Sequence, residues 1–308
     1  MITVVGSINL DLVARVERLP APGETVSGVE YTEAAGGKGA NQALAVRRAG
    51  ASTMMVGAIG HDANAEAATA LLEHAGVDLT QVEAVDAHTG VALILVDDKT
   101  GENQIAVVPG ANDHVSIGRL PDETKGLLLQ MEIPHAVNEA FLADAEAQGI
   151  PVFFNPAPFR ADAVDLAPKA TVIIANETEF DLLADAMAMS LPNPAEDIGE
   201  ERTRIARGRS FVQKTGKTII ITLGAAGALL LAADEEAHAV PPSIAAVDTV
   251  GAGDTFCGYF AAAYADGKSL TECLDIAVVA GALACLKEGA QPAIPTMDKV
   301  LLARGKTA

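Results

Sequence analysis

Two glycines, Gly251 and Gly253, stand directly before an acid, Asp254, in the stretch VDTVGAGDTFCGYFAAAYA (247–265), and an apolar-periodic helical pattern begins at once. A glycine-rich entry into a helix gathers backbone N–H groups without intrahelical partners at the positive end of the helix dipole, an arrangement that holds phosphate oxygens. Asp254, at the mouth of the same helix, could take the proton of a hydroxyl as its oxygen attacks phosphorus. It could equally do no more than cap the helix, since Asp is a favoured N-cap.

A second glycine turn lies in AAGGKGANQALAVRRAG (34–50), where Gly36, Gly37 and Gly39 lead into a helix, Lys38 supplies a point charge and Asn41 brings both a donor and an acceptor. Backbone amides and two polar side chains converging there would suit a polyhydroxyl ligand; a plain glycine turn with a solvated lysine is the alternative. Near the N-terminus, Gly6-Ser7-Ile8-Asn9-Leu10-Asp11 follows the first apolar run. Asn9 and Asp11 are two apart, so both would face one side as the chain leaves a sheet at its carboxyl edge, where open α/β sheets bind ligands. A turn-forming role would explain them too. Asn176 and Glu179 are three apart at the start of a helix after TVIIAN and can face one point, although a capping box accounts for the same pair.

Two familiar phosphate loops are absent. Gly216-Lys217-Thr218 resembles the end of a Walker A loop, but the earlier glycine would fall at Phe211. No strand-to-helix turn carries a complete GxGxxG, so a dinucleotide-binding dehydrogenase lacks its fingerprint.

These residues need elements to hold them. The runs ITVV (2–5), TMMVGAI (53–59), GLLLQM (126–131), PVFFN (151–155), TVIIAN (171–176) and KTIIITL (217–223) alternate with Ala-rich helical stretches at Ala40–Ala49, Ala63–Ala75, Pro134–Gln148, Glu177–Met187 and Ile198–Thr215. That alternation predicts an α/β protein with a largely parallel central sheet, and uniformly apolar strands predict helices on both faces. Leu12–Ala35 and Val91–Val108 break the pattern; the latter reads as a hairpin around DDKTGE. Both are expected to leave the sheet and form a small β appendage, a candidate lid, with ordinary surface loops as the alternative. From Asp254 onward the chain reads as mostly helical, and no linker marks independent domains.

Half of the 308 residues are hydrophobic, so a large core is expected. A formal charge of −20 repels phosphate backbones and anionic lipid, which argues against nucleic acid and membrane surfaces as partners and for a small molecule. No apolar run approaches the roughly 20 residues of a transmembrane helix. Cys257, Cys273 and Cys285 show no metal-ligand or CxxC spacing, which suggests a reducing, cytoplasmic setting; Cys257 reads as a small apolar residue in a buried helix.

Taken together, GGKGAN (36–41), QMEIP (130–134), NPAP (155–158), NETE (176–179), DTVGAGD (248–254) and GAQP (289–292) resemble, in order and spacing, the ribokinase branch of the PfkB carbohydrate kinase family, over nearly the whole chain from Gly6 to Pro295. The resemblance implies a single kinase domain over 1–308 with a three-layer α/β/α fold, a mostly parallel sheet and a small β-sheet lid. It also implies transfer of the terminal phosphoryl group of ATP to the 5-hydroxyl of D-ribose. By the same similarity, Asp254 is the base, and the amides of Gly251, Ala252 and Gly253 form the anion hole. Asn9, Asp11, Gly37, Lys38, Asn41 and Glu132 hold the sugar, with Asp254 completing the ring of contacts. Thr222, Gly224, Gly227, Gly253 and Asn176 meet ATP, and Asn176 and Glu179 organise Mg²⁺ indirectly. Asp248, Val250, Ala284, Lys287, Gly289 and Ala293 cradle K⁺, mostly through carbonyls. Two positions depart from the family pattern: Val278 stands where a polar residue is common near adenine, and Ala293 replaces a common Ser. A homodimer through the lid is a further expectation. A kinase acting on deoxyribose, another sugar or a nucleoside is the nearest rival; a non-catalytic sugar sensor would be expected to have lost the base or anion hole.

Overall fold

In a computed structural model, which describes residues 1–189 and 199–305, the strands are β1 (Ile2–Val5), β2 (Asn9–Val16), β3 (Gly28–Gly36), β4 (Thr53–Gly60), β5 (Asp78–Val85), β6 (Gly90–Asp97), β7 (Asn103–Val108), β8 (Gly126–Leu129), β9 (Val152–Phe154), β10 (Val172–Asn176), β11 (Thr218–Thr222), β12 (Ala228–Leu231) and β13 (Glu236–Ala239). The helices are α1 (Lys38–Arg48), α2 (Ala63–Ala75), α3 (His135–Gln148), α4 (Ala163–Leu166), α5 (Glu177–Ala186), α6 (Glu200–Thr215), α7 (Ala252–Ala265), α8 (Leu270–Ala284), α9 (Ala290–Ala293) and α10 (Met297–Arg304). Ile198, where the last helix of the sequence reading starts, lies outside the described residues.

The large sheet has the order β13-β12-β11-β10-β9-β8-β1-β4-β5, parallel from β5 through β11 and closed by an antiparallel hairpin, β12 and β13. Its strands are apolar on both faces, and successive residues feed opposite cores. Ile220 packs in one cluster with residues of α1, α2, α7 and α8, whereas Ile219 and Ile221 pack in the other with residues of α3, α5 and α6. Three layers follow directly, because neither face of such a sheet can be left in water.

The expected strands and helices are present within a few residues of their ends. β5 and the β12–β13 hairpin were not expected from the sequence. β5 has a mixed half-exposed pattern, and the hairpin strands are only four residues each, too short to show a period. The small sheet, of order β3-β2-β6-β7, has β2 antiparallel to β3 and parallel to β6. It begins at Asn9 and Gly90, earlier than the expected Leu12 and Val91. Asn9 and Asp11 therefore lie in the small sheet rather than at the end of the first strand, and the period of two still turns them to one side.

All three cysteines are buried free thiols. Among the described residues, no helix is long and apolar enough to cross a membrane.

Candidate active site

The carboxyl ends of the parallel strands deliver the polar residues. Chain leaving β1 carries Ser7, chain after β8 carries Gln130 and Glu132, β9 leads to Asn155, and β10 and β11 end at Asn176 and Thr222. Over this edge lies the N-terminus of α7. Its N-cap is Gly251, at φ 74°, and no side chain caps it. Asp254 sits inside the first turn, buried, so the capping role is excluded for it. A side chain at position 251 would be strained by that φ and would bring its Cβ to 2.7 Å from Ala290 Cβ, so glycine is required both for the turn and for the close approach of the 289–293 segment.

Three residues of α1, at positions i, i+3 and i+4, converge on Asp254. Asn41 Nδ2 donates to its Oδ2 at 3.0 Å, Gln42 Nε2 donates to its Oδ1 at 3.1 Å, and Lys38 Nζ stands 3.9 Å from Oδ1. Gly258, one turn further along α7, makes this approach possible, because a Cβ there would fall 2.5 Å from Ala45 Cβ and 2.8 Å from the Gln42 carbonyl oxygen. The negative charge of Asp254, helped by Glu132, holds the Lys38 ammonium well above its ordinary value despite burial. Ala252 N–H donates to the Thr249 carbonyl at 3.3 Å, and among the described residues no acceptor stands against the amides of Gly251 and Gly253. That pair is thus the open part of the expected three-amide anion hole.

Lys38, Asn176, Glu179, Gly251, Gly253 and Asp254 line one cavity of about 200 Å³. A second, of about 280 Å³, shares Thr222, Thr249 and Gly253 with it and is otherwise mainly apolar, with Gly224, Gly227, Ile244, Phe256 and Val278 in its wall. A polar chamber that opens past a helix N-terminus into an apolar slot can hold a chain of phosphates with a flat ring at its far end. Another cavity, about 630 Å³, lies at the opposite, amino ends of β1 and β4, away from these groups.

Asn9, Asp11, Asn41 and Glu132 are not in the wall of the smaller chamber but stand around Lys38 and Asp254. Glu132 Oε2 accepts from the Lys38 amide at 2.9 Å and from Ser7 Oγ. Asn9 Oδ1 accepts from Asn112 Nδ2 at 2.7 Å, a bond that uses the acceptor of Asn9 and not its Nδ2 donor. Asn41 Oδ1 is buried without a partner, an acceptor available to a ligand hydroxyl. Burial, reinforced by the charges of Glu132 and Asp254, pushes the Asp11 carboxyl up to about 7. Gly37 caps α1 at φ 86° without a side-chain bond.

Ser7, Gln42 and Asn112 were not singled out by the sequence reading. Gln42 had a signal, its helical spacing from Lys38; Asn112 lies far from any motif and meets Asn9 only through the fold.

Asn176 and Glu179 form a full capping box, with Asn176 Oδ1 accepting from the Glu179 amide at 2.8 Å and Glu179 Oε2 accepting from the Asn176 amide at 3.0 Å. Glu179 keeps one carboxylate oxygen for the chamber, and burial holds its carboxyl above its ordinary value. A divalent ion that keeps most of its water and arrives with phosphates fits this set, and among the described residues no cluster of three or more acids, histidines or cysteines offers an all-protein cage.

Near the N-terminus of α7, Asp248 Oδ2 accepts from the Gly289 amide at 2.8 Å and Oδ1 from the Val250 amide at 3.0 Å, while the Cys285 carbonyl accepts from Val247 and Asp248. Asp248, Val250, Ala284 and Gly289 are thereby drawn together, with Lys287 on the exposed turn between and Ala293 buried in α9 beside Ala290. Each Asp248 oxygen takes one amide and keeps a lone pair, so these loops offer a cation one carboxylate beside backbone carbonyl oxygens, a set that suits a large monovalent ion.

Comparison with known proteins agrees with this geometry. The pfkB family carbohydrate kinase profile matches residues 1–297. The chain is 34% identical to a ribokinase of Haemophilus influenzae, over 97% of each chain. Among solved structures it resembles a ribokinase from Thermotoga maritima (33% identity, 99% of each chain, TM-score 0.86). It likewise resembles an Arabidopsis thaliana ribokinase complexed with ribose and ATP (31% identity, 98% of this chain and 97% of that one, TM-score 0.82). The fold is ribokinase-like, and a chain-long match on top of a buried carboxylate, an open pair of helix-terminal amides and a two-chambered cleft means that this chain belongs to the pfkB family of carbohydrate kinases, phosphotransferases acting on an alcohol group.

Proposed function

We propose that this chain transfers the terminal phosphoryl group of ATP to the 5-hydroxyl of D-ribose, giving ribose 5-phosphate and ADP. The observation that carries the reading is the environment of Asp254: a buried carboxylate, held by two amide donors beside a lysine, at the entrance to a chamber that opens into a nucleotide-sized slot.

In this reading Asp254 takes the proton of the 5-hydroxyl as that oxygen attacks phosphorus. The amides of Gly251 and Gly253, with Ala252 beside them, face the charge that develops on the transferring group, and Lys38 adds a positive charge where none comes from the chain as a whole. Asn9, Asp11, Gly37, Lys38, Asn41 and Glu132 bind the sugar, since each buried hydroxyl left unpaired would cost about 1–3 kcal/mol. Thr222, Gly224, Gly227 and Asn176 contact ATP. Glu179 and Asn176 would hold Mg²⁺ through its waters, and the carbonyls around Asp248 and Gly289 would hold K⁺; both ions add positive charge beside the phosphates. The whole chain acts as one kinase domain, and the small sheet is its lid, excluding water from the transfer. Pairing of two lids gives a homodimer, and a reducing cytoplasm suits three buried thiols.

ADP release with Mg²⁺ and K⁺ across D-ribose, 2-deoxyribose, fructose, fructose 6-phosphate, adenosine and pseudouridine tests the reading. A preference for D-ribose is expected. A preference for another member would overturn the substrate and keep the Asp254 chemistry, and silence across the panel would remove the kinase reading. Exchange of K⁺ for tetramethylammonium is expected to lower kcat; equal rates would exclude a monovalent activator.

A further inference from the structure

We infer that Gln42 is a positioning residue for the base: its side-chain amide, anchored on Gln130, fixes the rotation of the Asp254 carboxylate so that one lone pair faces the incoming hydroxyl. The inference rests on Asp254 being that base.

Gln42 is fully buried. A carboxylate only accepts hydrogen bonds, so the nitrogen end of the Gln42 amide must be the one that faces Asp254 Oδ1, at 3.1 Å. The oxygen end then accepts from Gln130 Nε2 at 2.7 Å, while Asn138 Nδ2 holds the Gln130 carbonyl at 2.6 Å. On a third side, Gln42 Nε2 reaches Asn155 Oδ1 at 3.4 Å, and Asn155 Nδ2 is tied to the Ile174 carbonyl at 2.7 Å. Gln42 is thus referenced to the ends of β8, β9 and β10, the frame from which the chamber is built.

Asn41 plays a different part. It donates to the other oxygen of Asp254 and keeps an unpartnered, buried Oδ1 for a ligand, so it spans base and substrate. Gln42 has no such atom to spare. The terminal torsion of an Asp side chain lies in a broad, two-fold well, and one donor on each oxygen narrows it. Each oxygen still has a lone pair left for a proton. A neutral amide also orients the carboxylate without adding a second positive charge beside Lys38, which would weaken it as a base. The charged and titratable groups facing Asp254 are Lys38 of α1, Asp11 of β2, Glu179 of α5 and Cys257 of α7, with Glu132 beyond Lys38.

The test begins with the wild-type protein on the sugar it prefers, so that absence of any turnover, which would remove the kinase reading itself, is seen before variants are compared. Gln42→Met keeps the length and removes the donor. The expected result is a fall in kcat of about 10- to 100-fold, the scale of a misplaced catalytic group. The sugar KM stays within about threefold, since no transition-state-independent contact is lost. The acid limb of the kcat profile moves to higher pH, because the anion has lost a hydrogen bond. Gln42→Glu, which sets a second carboxyl against Asp254, moves that limb further in the same direction. Gln130→Met leaves the donor but frees its anchor, and a smaller loss of kcat at an unchanged KM is expected. These two variants carry the test if Gln42→Met does not fold. An unchanged kcat and acid limb in Gln42→Met, or a raised sugar KM at unchanged kcat, would overturn the inference.

Discussion

Two amide donors and a lysine surround the carboxylate of Asp254, and each of its oxygens retains a lone pair. Asp254→Asn removes the proton acceptor while keeping the shape, so turnover is expected to fall by at least about 10²–10⁴-fold, with the sugar dissociation constant, measured by calorimetry, changed little. The new amide nitrogen must also face either Asn41 or Gln42, donor against donor, and a stability loss of about 1–3 kcal/mol should accompany the loss of turnover. Near-normal turnover would take Asp254 out of the base role. Asp11 supplies a pH prediction. Its carboxyl titrates near 7 in the folded protein because burial and the nearby Glu132 and Asp254 disfavour its charge. For an acid raised in this way, the folded state binds the proton more tightly than the unfolded chain, so stability is full below about pH 4 and is lost as pH rises through 7. Asp11→Asn should therefore raise Tm at pH 8 by a few degrees and leave it nearly unchanged at pH 4, at the cost of sugar affinity. A lower Tm at pH 8 would contradict the buried-charge account.

At the scale of elements, the site depends on how closely α1 approaches α7. The contact at Gly258 is backbone on backbone: an added Cβ would lie 2.8 Å from Val46 N as well as against Ala45 and Gln42. Gly258→Leu must push the helices apart, at about 1–3 kcal/mol or more for overpacking, and withdraw Asn41 and Gln42 from Asp254. Thermal melts and kcat measured side by side should fall together; a lowered Tm with unchanged kcat would show that the contact serves packing alone. Other elements bring their groups to the same edge by a simpler rule, since parallel strands with right-handed crossovers place all their carboxyl ends on one side.

For the whole molecule, the small sheet matters most. The face opposite Asn9 and Asp11 carries Leu12, Ala14, Tyr31 and Leu93, with Tyr31 60% and Leu93 47% exposed. A second copy pairing there would bury these side chains and stiffen the small sheet. Sedimentation velocity is expected to show a dimer that strengthens with salt, because two chains of charge −20 repel each other over about 10 Å at 0.1 M salt. Tyr31→Lys with Leu93→Lys should return it to monomer, whereas a wild-type chain that stays monomeric at every salt concentration would exclude this interface.

Much of this protein can be read without coordinates, because the informative signals are local. Apolar runs with helical stretches between them specify a covered parallel sheet, and the glycine-rich entry at 248–254 specifies a helix N-terminus with free amides, both within a few residues of chain. β12 and β13 escaped because four-residue strands show no period, and Asn9 and Asp11 were put on the wrong strand because the break at Gly6–Ile8 is only three residues long and carries no proline. Asp254 could be named from its motif, but whether it capped α7 or faced the cleft depended on Gly251 taking the cap position. The tertiary structure alone decided the company Asp254 keeps. Gln42 and Asn41 are more than 200 positions away along the chain, Gln130 opens QMEIP without any pattern that ties it to Gln42, and Asn112 lies in no motif. Contacts across that separation follow from packing two helices at a glycine and aligning strand ends, which no local pattern of residues records.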